Sequence, residues 1–413
     1  MNDRKPSQKK AWYIVLVSAL MGCGISSAFP QFSMTVTDMA QRTGLNEGFL
    51  LTGDTVKSAA IVAGMLCSGF MYKKLGAKRN LALSLVFTGL PQFVLPFVSS
   101  PALFMLLKIM QGFAALVFPV FLLIIMDVIA EHHAGLATAV FNGMFYSGGG
   151  VGGTVAGFFI SKYGWMSSYF AIGAIQLIIG IIWLLTVKDT TEKQPAETNP
   201  VSLDTQNQAS SLILLKTPVV WLLIIGFIST TFVIQAITVD MPLFSAFLGY
   251  DDSETATINT AVTIGLLAAC LVSGKISDIV ALRMSNKAKA RILVMAIGPV
   301  IIILSSLMLI LLDLTSIGLF YAAALLFSFG GSWGMGAFYA ILPELFDEDQ
   351  LPIVTGLAGG AGDMGMPAAP LLVGVIFGAR GMWHLGWFVC VIIAALSLVA
   401  CILLLGNKRV KAV

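Results

Sequence analysis

Twelve stretches of this chain stay apolar for about twenty residues or more, the length an α-helix needs to cross a bilayer core. They fall at roughly 12–36, 49–72, 80–99, 101–127, 135–160, 167–187, 218–240, 254–278, 291–312, 316–342, 353–378 and 385–406. In lipid a backbone must satisfy its own polar groups, and a helix does so within one segment. Composition agrees: of 413 residues 57% are hydrophobic and 11% charged, against about 25% charged in a soluble domain. The net charge of +3 is too small to suggest nucleic acid as a partner. The first run is too long, and too polar at its far end, for a cleaved signal peptide, so it is read as a retained helix.

Orientation follows from the basic residues. With the N-terminus inside, 18 of the 24 Lys and Arg lie on the cytoplasmic side, in clusters such as Lys73, Lys74, Lys78 and Arg79, or Arg283, Lys287, Lys289 and Arg291. Arg42, Lys162 and Arg380 fall outside, and Lys57, Lys108 and Lys275 fall within spans. Both termini are therefore expected in the cytoplasm, with a bacterial inner membrane as the setting.

No enzyme constellation emerges. His132 and His133 share a short loop and His384 lies outside, none near an acid or thiol cluster of metal-ligand spacing. The glycine run at 148–153 has no following Lys-Ser/Thr, so it is not a phosphate loop. All five cysteines fall inside spans and read as small buried side chains rather than disulfides or metal ligands. No cofactor is implied.

Between spans six and seven runs "KDTTEKQPAETNPVSLDTQNQASS" (188–211), polar and aperiodic, which reads as a cytoplasmic linker. The six spans on either side repeat. Span one has "ISSAFPQFSMTV" and span seven "ISTTFVIQAITV"; span two ends at Gly69 after "CS" and span eight at Gly274 after "VS"; span five opens "GLATAVFNG" and span eleven "GLAGGAGDM". The prediction is an all-α polytopic membrane protein of twelve helices in two pseudo-symmetric six-helix bundles. Residues 1–187 and 217–413 form the bundles, and 188–216 the linker. Such repeats place a substrate site between the halves near the midplane.

These motifs resemble those of the major facilitator superfamily over essentially the whole chain. The loop "GFMYKKLGAKR" (69–79) is similar to the family's inner-loop motif at Gly69, Gly76, Lys78 and Arg79, with Lys73 where an aspartate is usual. The copy "GKISDIVALR" (274–283) keeps the acid as Asp278. The resemblance implies an inner gate of charges that pair in one state and part in another. Its members would be Lys78 and Arg79 with Asp127, and Asp278 and Arg283 with Glu344. "KIMQGFAA" (108–115) resembles an R-x-x-Q-G-x-x-A pattern, with Lys108 in the arginine position and Gln111, Gly112 and Ala115 matching. "SGGGVGGTVAG" (147–157) resembles a motif of the family's antiporters at Gly148, Gly152 and Gly153, with Gly149 replacing its proline. With Gly69 and Gly274, these glycines are read as helix-packing positions.

Ionisable residues at membrane depth are expensive and usually functional. Asp54, Lys57, Lys108 and Asp363 are the ones read there. Asp54 and Lys57 are three apart and share a helix face. By the resemblance, spans one, four, seven and ten line the cavity, which makes Lys108 the substrate residue. Asp54, Lys57 and Asp363 then serve proton coupling or form structural pairs. Phe29, Gln31, Gln235, Trp333 and Phe338 complete the expected pocket, and Pro30 is expected to loosen span one beside Gln31.

The resulting expectation is a monomeric, proton-coupled secondary transporter of a small organic anion, such as a carboxylate. A proton-antiporting exporter of drugs or apolar metabolites is the second reading, and a non-transporting sensor with this fold the third.

Overall fold

The computed structural model describes residues 6–187, 214, 216–407 and 410, so the linker expected at 188–216 lies almost wholly outside the described residues. Helix α1 runs Gln8–Thr43 as two pieces, Gln8–Ser26 and Ala28–Thr43. Pro30 has no N–H to offer the Ser26 carbonyl and its ring crowds that group, which sets the break one turn upstream, at Ser27.

The loop expected at 73–79 is instead a bend. Glu47–Val94 is helical throughout except at Gly76, whose φ of 70° and ψ of 177° suit a residue without Cβ. We call its arms α2 and α3. Asn46 starts α2 by accepting from the N–H groups of Gly48 and Phe49. Helix α4 spans Pro101–Val128, opened by the Ser100 cap and a proline in its first turn. Then follow α5 (Ala134–Tyr163) and α6 (Trp165–Thr186).

Helix α7 runs Pro218–Phe247, beyond the expected end at 240, and contains a π-helical segment at Ala236–Asp240. After it come α8 (Asp252–Arg283), α9 (Lys287–Leu311) and α10 (Ile317–Ala340). The last two are α11 (Leu351–Arg380), with a second π segment at Pro370–Phe377, and α12 (Trp383–Gly406). Ten described segments are long and apolar enough to cross a membrane. One of them, Glu47–Phe97, holds both α2 and α3, and the glycine-thinned α5 brings the helices to twelve.

The described residues fall into two compact units. One gathers those of Met1–Ile129, Met144–Gln208 and Asp349–Gly360; the other gathers those of Ala130–Gly143, Ala209–Glu348 and Ala361–Val413. In lipid, apolar faces gain little by meeting one another, so association depends on close packing at small residues. In the first unit, a Cβ at Gly112 of α4 would strike the Lys57 carbonyl of α2 and lie 2.8 Å from the Ala60 Cβ. Gly148 and Gly152 of α5 press against Ser26 and Ser27 at the α1 break, whereas Gly153 has only Pro30 nearby, at 3.9 Å. Gly69 meets the Pro352 backbone of α11. In the second unit, a Cβ on Gly274 would lie 2.5 Å from both the Ala139 Cβ and the Gly135 carbonyl oxygen of α5. Four of the cysteines are buried, and Cys67 is exposed.

The α2–α4 contact yields a direct test. Gly112→Ala is expected to lower the thermal midpoint of the purified protein, by the roughly 1–3 kcal/mol that overpacking costs. Gly149→Ala, where nothing lies within 4 Å, should be neutral or raise it, because Ala favours a helix by up to about 1 kcal/mol. Equal midpoints for the two variants would contradict the packing role of Gly112.

Candidate functional site

The contact at Gly112 determines where Lys108 goes. One turn earlier on α4, the Lys108 stem lies along α2 beside Gly53, where a Cβ would come within 2.5 Å of the Phe104 ring and 3.3 Å of the Lys108 Cγ. The ammonium thereby reaches Asp54, the next residue of α2, with Nζ 3.2 Å from Oδ1. Lys57, one turn along α2, places its Nζ 2.6 Å from the same oxygen. Both lysine side chains are buried, at 0% and 4% exposure, while Asp54 is 36% exposed.

Two lysines therefore share one carboxylate, a cluster of net charge +1 when both are protonated. Aromatic faces take up part of the imbalance. The Lys108 Nζ sits 3.1 Å from the Phe32 ring centroid and 5.7 Å from that of Phe104, and the Lys57 Nζ is 5.0 Å from that of Phe29. Beside these rings, Gln31 donates to the Ser168 hydroxyl at 3.2 Å, but its own Oε1 is buried without a partner among the described residues. The Thr35 and Tyr169 hydroxyls bond at 3.0 Å, and Tyr169 packs in the same cluster as Phe32 and Phe104. Phe32 was not among the sequence candidates, although it lies one turn from Phe29 and so on the same face of the helix.

The expected residues of the second unit are placed differently. The Trp333 indole donates to the Val294 carbonyl of α9 at 2.9 Å, within a small core that includes Ala269. Phe338 is fully buried and stacks on Phe227, centroids 3.9 Å apart. Gln235 is half-buried at the foot of the α7 π segment. Asp363 is buried and close enough for its charge to act on Tyr339. Trp333 and Phe338 thus have packing and hydrogen-bonding roles that the sequence did not reveal.

The charges expected at the inner gate form a network in the second unit. Asp278 accepts from the Gly135 and Leu136 N–H groups, each at 2.8 Å, and so caps the first turn of α5. It also pairs with Arg291 at 3.1 Å, and Arg291 reaches Glu344 at 2.7 Å. The arginine that meets Glu344 is therefore Arg291; Arg283, expected in that place, is exposed. Burial pushes the Glu344 carboxyl above its ordinary value, with Arg291 pulling the other way. Glu131 and Lys287 close the network at 2.5 Å. In the first unit Lys73, which has no counterpart to the Asp278 cap to offer, lies within the influence of Asp349 near the start of α11. Asp127 and Arg79 are exposed, and Lys78 is half-buried.

The Major Facilitator Superfamily model matches residues 14–286 and 279–413. The chain belongs to the Major Facilitator Superfamily. Its fold is also that of solved superfamily structures. The proton:xylose symporter XylE bound to 6-bromo-6-deoxy-D-glucose aligns with a TM-score of 0.72 at 15% identity, covering 97% of this chain and 96% of that one. A double Trp mutant of XylE gives 0.72 at 16% identity, covering 98% and 96%. The human organic anion transporter MFSD10 (TETRAN) gives 0.71 at 15% identity, covering 97% and 100%. No curated protein sequence matches the chain. As a superfamily member it is a multi-pass membrane transporter and not an enzyme.

The shared carboxylate makes a thermodynamic prediction. Asp54→Asn leaves two buried ammonium groups facing each other, and is expected to destabilise toward the low end of the roughly 3–5 kcal/mol seen when a fully buried pair is broken. Adding Lys108→Met should restore part of that loss, because the remaining lysine then stands alone. Thermal midpoints of the two single variants and the double variant test this, and strict additivity would show that the three charges do not interact.

Proposed function

We propose that this superfamily transporter carries a small organic anion, a carboxylate being the simplest case, across a bacterial cytoplasmic membrane with proton coupling, and that Lys108 holds the anionic group. The observation that carries this reading is the +1 cluster, in which Lys57 and Lys108 share the single Asp54 oxygen. An uncompensated buried charge is costly, and a substrate carboxylate would supply the missing negative charge. Phe29, Phe32 and Gln31 would form the apolar wall and the placed polar group that a small-molecule site needs.

Coupling follows from the same arithmetic. An arriving anion competes with Asp54 for the two ammonium groups, and protonating Asp54 frees both of them for the substrate. Asp54 is partly exposed, so a proton has a route to it. Substrate and proton are then bound together and released together, as symport requires. Asp363 is the second carboxyl we assign to proton exchange, and Lys57 the partner that positions Asp54.

Ligand binding raises apparent stability by mass action, so a thermal-shift screen needs no knowledge of transport direction. Organic carboxylates are expected to raise the melting midpoint of the wild type and to leave Lys108→Ala unchanged. Stabilisation by lipophilic cations instead, retained or improved in Lys108→Ala, would overturn the anion reading in favour of an exporter of drugs or apolar metabolites.

A further inference from the structure

Asp240 is the most deeply buried acid that the proposed mechanism leaves unused. It is 0% exposed, and neither carboxyl oxygen finds a hydrogen-bond donor among the described residues. It ends the π-helical segment Ala236–Asp240 of α7, and that segment packs on the second π-helical segment, Pro370–Phe377 of α11. The approach is close: a Cβ at Gly374 would stand 2.5 Å from the Asp240 Oδ1.

The surroundings are apolar. Ala236, Ile237, Met241 and Val373 belong to one core cluster with Trp383 and Trp387 of α12. The ionisable groups on α10, α11 and α12, which pack there, are Tyr321 and Tyr339 on α10, Asp363 and Arg380 on α11, and His384, Cys390 and Cys401 on α12. Arg380 and His384 are exposed. The Asp240 charge acts on the Cys390 thiol, and among the described residues no lysine or arginine offsets the burial of Asp240 itself.

An unpaired carboxylate in such a medium is far costlier than the neutral acid. Gly374 closes the Oδ1 side of the site, and no cationic side chain reaches it among the described residues. What it can hold is a proton. A π segment is a helix with one residue too many for its turn, and such segments occur frequently at functional sites. Rewinding Ala236–Asp240 to α-helical geometry would turn the Asp240 side chain about the helix axis by roughly one residue's rotation, with 3.6 residues to a turn. That rotation takes the carboxyl away from its present place against Gly374.

We infer that Asp240 is a proton-binding carboxyl, protonated while α7 holds its π segment and ionised when that segment rewinds, so that proton release is tied to a change of helix register. The inference extends the proton-coupling part of the proposed function and is independent of which solute is carried.

Infrared difference spectroscopy on the purified, full-length protein tests it without any substrate. At neutral pH the wild type should show a protonated-carboxyl band that is lost in Asp240→Asn and kept in Asp54→Asn. Asp240→Asn mimics the neutral acid and is expected to fold normally; Asp240→Ser, smaller and also uncharged, must remove the same band. Absence of an Asp240-dependent band at neutral pH overturns the proposal. In vesicles, Asp240→Asn should keep solute exchange in the absence of a proton gradient and lose gradient-driven accumulation. Unchanged accumulation would likewise overturn it. Failure of carboxylates to stabilise the protein would refute the anion reading and leave the band untouched.

Discussion

The close approach of α2 and α4 at Gly112 organises everything that is chemically unusual in the first unit. Without a Cβ there, the α4 backbone lies against the Lys57 carbonyl, and one turn away Lys108 is brought to Asp54. The lysine cannot leave its charge in an apolar medium, and the acid it finds is already held by Lys57. A contact set by van der Waals packing therefore decides an electrostatic outcome. Two positive groups must divide one negative group, and the excess is what an anionic solute would relieve.

The second unit spends its charges elsewhere. Asp278 joins a helix cap to an ion pair: its two oxygens take the Gly135 and Leu136 N–H groups while Arg291 approaches from the side. Arg291 then extends to Glu344. Every buried charge in this network has an opposite partner and a directional hydrogen bond, the condition under which burial is tolerated. Asp240 contrasts with it sharply, since it has neither among the described residues. Within one unit, then, one acid has an ion-pair partner and hydrogen bonds, while another is surrounded by groups that cannot stabilise a charge.

Much of this was legible in the sequence, because membrane helices advertise themselves by length and apolarity. The twelve spans and the Asp54–Lys57 pair could be read from residue types and spacing, the packing glycines came with the family resemblance, and the meeting of Lys108 with Asp54 did not show. Gly112 and Lys108 stood out as one pattern, and their relation in space is the one that i and i+4 positions on a helix require. Asp240 was missed because the span was ended at that residue, which made the acid look like a helix terminus. The helix in fact continues through Met241 and Pro242 to Phe247, and the acid lies inside.

Trp333 and Phe338, expected in the pocket, are engaged with neighbouring helices. An aromatic residue on a lining helix has the same appearance whether it faces a cavity or a neighbouring helix, and only the Val294 carbonyl and the Phe227 ring distinguish the two. The choice of Arg291 over Arg283 as the partner of Glu344 is of the same kind, because both are arginines near the same end of a helix pair. By itself, then, the sequence determined the spans and their number, which follow from apolar length and the hydrocarbon thickness, and the family resemblance pointed to the small residues at which helices meet. Which charges share a partner, and which acid is left without one, was decided by helix rotation and depth, properties of packed helices that no single stretch of sequence contains.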